Sequence, residues 1–342
     1  MPVATGTQAN RPTPERIFNA LSAHQQTAAL RAGIELGVFT AVGEGARSSS
    51  AVAAKTGASE RGVRILCDYL TVHGFLLKEN GQYALTPESA TFLNRHSPAY
   101  MGGVAGFLLN DELLRNFRAL TDAVRKGTSA GEHGDNEKPN DDAWIAFAKS
   151  MVPLTVPIAA YLSELTSMAS ARDCKILDIA AGHGMYGITL AKNNPNARVT
   201  ALDWPNVLQV AEENARAAGV AERYTVISGN ALAVELGSGY DYVLLTNFLH
   251  HFNPETCEKL LKRVHAALKP GGKAITLEFV PNEDRVSPPM AAGFSLIMLV
   301  NTNDGDAYTR AEYEKMFRNA GFRATTLHAV AEMPQQVLIS EK

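Results

Sequence analysis

From Cys174 onward, five apolar runs of strand length alternate with helix-length segments: KILDIA (175–180), ARVTALD (197–203), YTVISGN (224–230), DYVLLTN (241–247) and KAITLEF (273–279). No other feature narrows the fold as far. Parallel strands cannot be joined by tight turns, so each needs a crossover before the next, and a helix is the usual crossover. Such βαβ units are right-handed, and the pattern predicts a Rossmann-like α/β sheet. A long apolar helix at about 289–301, another at 310–320 and two closing strands near 325–330 and 335–341 bring the sheet to seven strands.

The first third reads differently. Residues 1 to about 13 are polar, and from Pro14 the pattern turns helical, with Ile17, Phe18, Leu21, Ala28, Leu30, Ala32, Ile34 and Leu36 recurring near every third or fourth position. Residues 47–86 read as helix, turn, helix, hairpin. Ser48, Ser49 and Ser50 can cap a short helix at 50–56, and Ser59 a longer one through about Gly74. Phe75–Leu77 and Tyr83–Leu85 flank an Asn80-Gly81 turn that suits a two-residue hairpin. That is a winged-helix layout.

At 342 residues the chain exceeds what one core usually fills, and the expected division is a mainly helical winged-helix domain at 1–103 and the sheet domain at 104–342. Within the second, 104–170 is a helical segment. It comprises an amphipathic helix at 104–127, the polar loop GTSAGEHGDNEKPNDD, and a helical stretch from Trp144 to Leu165. A net charge of -3 gives no electrostatic case for nucleic acid or an anionic membrane. No apolar run reaches membrane-spanning length, and MPVATGTQANRPTPE lacks a signal-peptide layout. The three cysteines, Cys67, Cys174 and Cys257, form neither a disulfide framework nor a metal-ligand spacing, which points to a reducing, cytoplasmic setting with no metal.

The segment with most chemistry is Leu177-Asp178-Ile179-Ala180-Ala181-Gly182-His183-Gly184-Met185-Tyr186-Gly187. A buried strand ends in an acid, small residues let the backbone turn closely against a ligand, and a helix offers free N–H groups at its start. The next strand ends at Asp203, whose carboxylate can accept from both hydroxyls of a ribose. Gly182, Gly184 and Gly187 spell G-x-G-x-x-G, which alone would suit NAD. Asp178 argues against it: a carboxylate at the mouth of the loop repels a pyrophosphate and attracts the ammonium of a methionine moiety. His183 has its place by position only.

These residues resemble the first motif of class I S-adenosylmethionine methyltransferases. Together with Ala-Leu-Asp-Trp-Pro-Asn-Val (201–207), Leu-Lys-Pro-Gly-Gly-Lys (268–273), Phe147-x-x-x-Met151 and the run from Asn247 to Cys257, the chain is similar over nearly its whole length to the caffeate and hydroxyindole O-methyltransferase family. The resemblance implies a homodimer formed through the N-terminal domain, S-adenosylmethionine as cofactor with S-adenosylhomocysteine as product, and a small-molecule acceptor. It implies that Asp178, Ala180, Gly182 and Gly184 surround the methionine end, that Asp203 and Trp204 lie at the ribose, that Asn230 and Ala231 lie beside the adenine, and that Asn247 belongs to the cofactor site. Ala180 stands where the family has its first glycine, and Asn230 where it usually has an acid.

Methyl transfer requires that the acceptor be aligned and lose its proton. A phenol, with a pKa of about 10, needs a base, and histidine is the natural choice. His250 follows the fourth strand of the sheet, at the edge where α/β sites lie, and matches the family's catalytic histidine. Glu278, at the end of the fifth, can take the other ring N–H and set the tautomer. The family supplies a second acid where this chain has Ala307, so either Asp306 substitutes or the histidine has one acid. Phe107, Asn110, Phe147, Met151, Met298 and Asn301 are the acceptor-pocket residues implied by similarity. Three rivals remain: methylation of N, S or C or a different step on the same fold, a winged-helix DNA-binding regulator, and an NAD-dependent dehydrogenase. The regulator suffers because Glu60, Ile65, Leu66 and Asp68 dilute any basic face around Arg61 and Arg64.

Overall fold

The structure is a computed structural model describing residues 12–130, 155–172, 174–331 and 333–342. The chain divides after Ala105 into two compact units.

The first unit holds α1 (Glu15–Glu35), α2 (Val38–Gly43), α3 (Ser49–Thr56), α4 (Glu60–Val72), the strands β1 (Leu76–Glu79) and β2 (Gln82–Leu85), and α5 (Pro87–Phe92). Ser48 caps α3 by accepting from the Ala51 N–H, and Ser59 caps α4 by accepting from the Gly62 N–H. The hairpin turns on Asn80 and Gly81 with φ of 50° and 77°, the left-handed pair that matches the twist of two antiparallel strands. Val38, Phe39, Val52, Val63, Leu70, Leu76 and Tyr83 form one apolar core under the helices and wing. On α4 the Arg64 guanidinium is paired with Asp68, which also binds Lys78 and the Tyr83 hydroxyl, so this helix presents no stripe of free cations.

Three short helices, α6 (Val104–Leu108) across the division, then α7 (Asp111–Arg118) and α8 (Leu120–Lys126) in the second unit, replace the single helix expected over 104–127. The break between α6 and α7 is chemical. Asn110 takes extended backbone and its side-chain oxygen accepts from the Leu113 N–H, which starts a new helix. The expected loop beyond residue 130 and the stretch from Trp144 to residue 154 lie outside the described residues; helix α9 is described over 155–165.

The sheet follows: β3 (Cys174–Ile179), α10 (Met185–Asn193), β4 (Ala197–Asp203), α11 (Pro205–Ala217), β5 (Tyr224–Ser228), β6 (Tyr240–Thr246), α12 (Pro254–Ala267), β7 (Leu268–Phe279), α13 (Pro289–Asn301), α14 (Arg310–Asn319), β8 (Ala324–Ala329) and β9 (Gln335–Glu341). Its order is β5-β4-β3-β6-β7-β9-β8, with β9 antiparallel to both neighbours. Strand β7 begins five residues before the expected Lys273 because the Lys-Pro-Gly-Gly run bulges along the start of β6, where the register shifts between Tyr240 and Tyr242. Alternation along β3 sends Ile176 into the core on one face of the sheet and Leu177 and Ile179 into the core on the other. The chain leaves β3 toward β4 on one side and returns through β6 on the other. The carboxyl ends of β3 and β6 are therefore the switch point where α/β proteins bind their ligands. No helix among the described residues is long and apolar enough to cross a membrane.

Candidate active site

The turn between β3 and α10 is strained and tightly tied. Ala180 has φ of 55°, and Asn247, at the end of the adjacent strand β6, has φ of 53°. Left-handed backbone at a residue with a side chain costs on the order of 1–2 kcal/mol, and it recurs where structure is held for function. The Gly182 N–H donates to Asp203 Oδ2 at 2.8 Å, the Trp204 N–H to Asp203 Oδ1 at 2.7 Å, and the Gly187 N–H to Asp178 Oδ2 at 3.1 Å. Two acids thus clamp the two ends of one loop. Gly182 and Gly184 both have positive φ, and they differ in surroundings. A Cβ on Gly184 would lie 2.5 Å from the Tyr224 hydroxyl and 2.9 Å from Ala211 Cβ, whereas one on Gly182 would meet nothing within 4 Å. Gly184 packs the loop down; Gly182 leaves a bare backbone cradle.

Electrostatics decide what the cradle suits. Asp178 is fully buried, and its Oδ1 has no hydrogen-bond partner. Burial pushes its carboxyl up to about 7, against the Gly187 N–H, and the neighbouring Asp203 adds to the rise. Asp203 is raised too, by burial, with the Gly182 and Trp204 N–H groups holding it down. Two acids with spare lone pairs at one loop would repel a pyrophosphate and accept from an ammonium and a ribose. The residues present fit S-adenosylmethionine.

His183, singled out in the sequence by position only, is a keystone of this loop. Its Nδ1 accepts from the Met185 N–H at 3.0 Å, so Nε2 carries the proton and donates to Thr155 Oγ1 at 2.9 Å. Its carbonyl accepts from Asn214 at 2.9 Å. Burial pushes this imidazole down to about 4, from an ordinary value of 6.5. A histidine whose folded pKa is depressed stabilises fully above the unfolded value and loses that contribution as pH falls from 6.5 toward 4, at up to about 1.4 kcal/mol per unit. Asp178 slopes the other way over the whole of that range, so a difference is needed. Urea unfolding of wild type and His183→Asn at pH 7.5 and 4.5 should show the wild-type advantage shrinking by about 2 kcal/mol at the lower pH.

A second cluster stands at the ends of β6 and β7. Leu249–His251 form a turn of 3-10 helix wrapped about Glu278. Glu278 Oε1 accepts from the Phe248 and Leu249 N–H groups at 3.0 and 2.8 Å, and Oε2 lies 2.5 Å from His250 Nδ1. Both side chains are buried, Glu278 completely. An ionised carboxylate only accepts, so the His250 proton sits on Nδ1 and Nε2 keeps its lone pair. A Cβ on Gly305 would fall 2.3 Å from the His250 carbonyl oxygen, so that segment packs flat on the backbone of the turn. The His251 ring centroid is 4.4 Å from that of His250, and burial, then His250 itself, holds His251 well below its ordinary range. The neighbour of His250 is a neutral ring.

The remaining expected residues divide. Asp306 does not reach the dyad: its Oδ2 pairs with Arg285 at 3.2 Å and its Oδ1 accepts from the Ala307 N–H, while Arg285 also binds Glu312. Asp306 is thus turned away from the dyad, and among the described residues Glu278 is the carboxylate bonded to His250. Asn230 Oδ1 accepts from the Leu232 N–H at 2.8 Å, an oxygen partly used in its own turn, and the Ala231 carbonyl is held by Arg263. Asn247 is better placed, since its buried Oδ1 has no partner. Asn110 and Asn301 are structural: the first caps α7 and donates to the Phe107 carbonyl, and the second accepts from Asn116 at 2.9 Å while donating to Ile297 O. Phe107 is half-buried in α6, and Met298 is buried in α13. Phe147 and Met151 lie outside the described residues. Sequence reasoning passed over Phe294, whose ring meets His250, although it stands one helical turn before Met298.

Comparison with known proteins places this geometry. Residues 148–323 match the O-methyltransferase domain and residues 18–95 match the O-methyltransferase dimerisation domain. The chain is 30% identical to a 3-hydroxy-5-methyl-1-naphthoate 3-O-methyltransferase from Streptomyces sahachiroi, over 93% of this chain and 92% of that protein. Among solved structures it is 46% identical to an O-methyltransferase of Nostoc punctiforme, with a TM-score of 0.93, covering 97% of this chain and 100% of the other. It is 26% identical to PigF determined with SAH, with a TM-score of 0.84 over 97% of this chain and 100% of that one.

Proposed function

Because the chain belongs to the O-methyltransferase family and carries both its catalytic and its dimerisation parts, we propose that it moves a methyl group from S-adenosylmethionine to a hydroxyl, phenolic by preference, of a small molecule, with His250 as general base. The observation that carries this reading is the buried His250–Glu278 pair at 2.5 Å, set beside the acid-clamped loop at the carboxyl end of one sheet.

The cofactor, when bound, supplies a methyl group on a sulfonium, already activated for displacement. Asp178 would hold its ammonium and Asp203 its ribose, with the backbone of Ala180–Gly184 against the chain between them. His250 Nε2 takes the acceptor's proton, and Glu278 fixes the ring through Nδ1 and opposes the positive charge that the ring gains.

The test is product analysis with a methyl-13C cofactor and a panel of hydroxylated aromatics. The reading expects a labelled methyl on oxygen, identified by its chemical shift; label only on nitrogen, sulfur or carbon would move the activity to a sister reaction.

The same proposal extends to a homodimer formed through the first unit. Ile17, Phe18 and Leu21 stand 64%, 64% and 69% exposed on α1, an apolar stripe too regular for a free surface. Burying such side chains is worth about 1.5–3 kcal/mol each. Phe18→Asp with Leu21→Asp should therefore raise the dimer Kd by at least about a hundredfold, read by light scattering across a dilution series.

A further inference from the structure

The His250 imidazole is gripped from a second side. Phe294, in the middle of α13, meets it edge to face, with 4.8 Å between centroids and 77° between planes. The same phenyl lies flat on Phe279, at 3.9 Å and 12°. Phe279 directly follows Glu278 in β7, so the ring that braces the histidine rests on the neighbour of the residue that hydrogen-bonds it. T-shaped and stacked contacts are both arrangements that aromatic quadrupoles favour.

The Cβ tether, the Nδ1 hydrogen bond and the His251 ring, 4.4 Å away between centroids, leave the imidazole room to tilt about its Cβ–Cγ bond. A contact on a further side is needed to hold its plane and so the direction of Nε2. Phe294 supplies that contact. It remains half-buried, as does Phe279, so the pair also keeps aromatic surface for something else to cover.

We propose that Phe294 is a positioning residue for the base: it fixes the plane of His250, and with Phe279 it forms an aromatic wall that suits a planar phenol over a saturated alcohol. This deepens the reading of His250 as base and rests on it.

The test compares full-length wild type, Phe294→Leu and Phe294→Tyr. Each is saturated with S-adenosylhomocysteine and carries 15N-histidine, with His250 assigned through its loss in His250→Gln. Wild type and Phe294→Tyr should show one sharp Nδ1–H tautomer, and Phe294→Leu exchange broadening or a second tautomer, with ligand affinity within about twofold throughout. With 1-naphthol as acceptor, Phe294→Leu should lower kcat by about tenfold at an unchanged KM for S-adenosylmethionine, and Phe294→Tyr should recover to within about threefold. An unaltered His250 spectrum in Phe294→Leu overturns the proposal, as does a Phe294→Tyr that fails along with it. If wild type methylates no hydroxyl compound at all, the O-methylation reading falls while the spectra still decide on Phe294.

Discussion

Replacing His250 by glutamine should lower kcat by about 10² to 10⁴ while leaving the affinity for S-adenosylhomocysteine within about twofold. Among the described residues the ring of His250 meets Glu278, His251 and Phe294, which all stand outside the loop at 180–187, so the loss should fall on turnover and spare binding. Glu278→Gln should reproduce most of the defect by a different route. An amide has a donor where the carboxylate had only acceptors, and Glu278 faces three donors: the Phe248 and Leu249 N–H groups and His250 Nδ1. One of them must be opposed by an N–H, and the imidazole can escape by moving its proton to Nε2, the atom that must be bare. Single-turnover kinetics with ligand titrations on both variants check this. A His250→Gln enzyme that keeps more than about a tenth of wild-type kcat removes histidine from the chemistry.

Lowering the pH should weaken cofactor binding by up to about tenfold per unit below pH 7, chiefly through Asp178. Burial pushes its carboxyl up to about 7, so below that the free protein carries the neutral acid. An ammonium prefers the ionised form, so binding must expel the proton, at about 1.4 kcal/mol for each unit below the pKa. The sign is therefore fixed: affinity rises with pH until about 7 and then levels. Asp178→Asn should flatten the profile and weaken binding at pH 8 by about ten- to a hundredfold, since a buried charged hydrogen bond contributes about 1.5–3 kcal/mol. Calorimetry in two buffers of different ionisation enthalpy reads the expelled proton directly. A flat pH profile in wild type would separate Asp178 from the ammonium.

The fold was legible because its signals are local. The strand runs, the Ser48 and Ser59 caps and the Asn80-Gly81 turn each act within a few residues, and the elements formed where these signals lay apart from the earlier start of β7 at Leu268. The break of 104–127 into three helices was equally local, but Asn110 reads as an ordinary helix residue until its oxygen is seen on the Leu113 N–H. The site was legible only in part. Asp178, Asp203, His250 and Glu278 occupy strand ends, where topology alone brings them together. His183, Phe294 and the diversion of Asp306 to Arg285 depend on contacts between residues 21 or more positions apart, and no spacing rule encodes those. The amides of Asn110 and Asn301 are taken up by partners near in sequence, Phe107 and Ile297, and by one far from it, Asn116.

Calorimetric titration of the wild-type protein at pH 8 with S-adenosylhomocysteine, and in parallel with NAD, bears most directly on the loop between β3 and α10. Saturable binding of the sulfur nucleoside at one site per chain, abolished by Asp203→Ala and absent for NAD, is the predicted result. Heat from NAD and none from S-adenosylhomocysteine would contradict it.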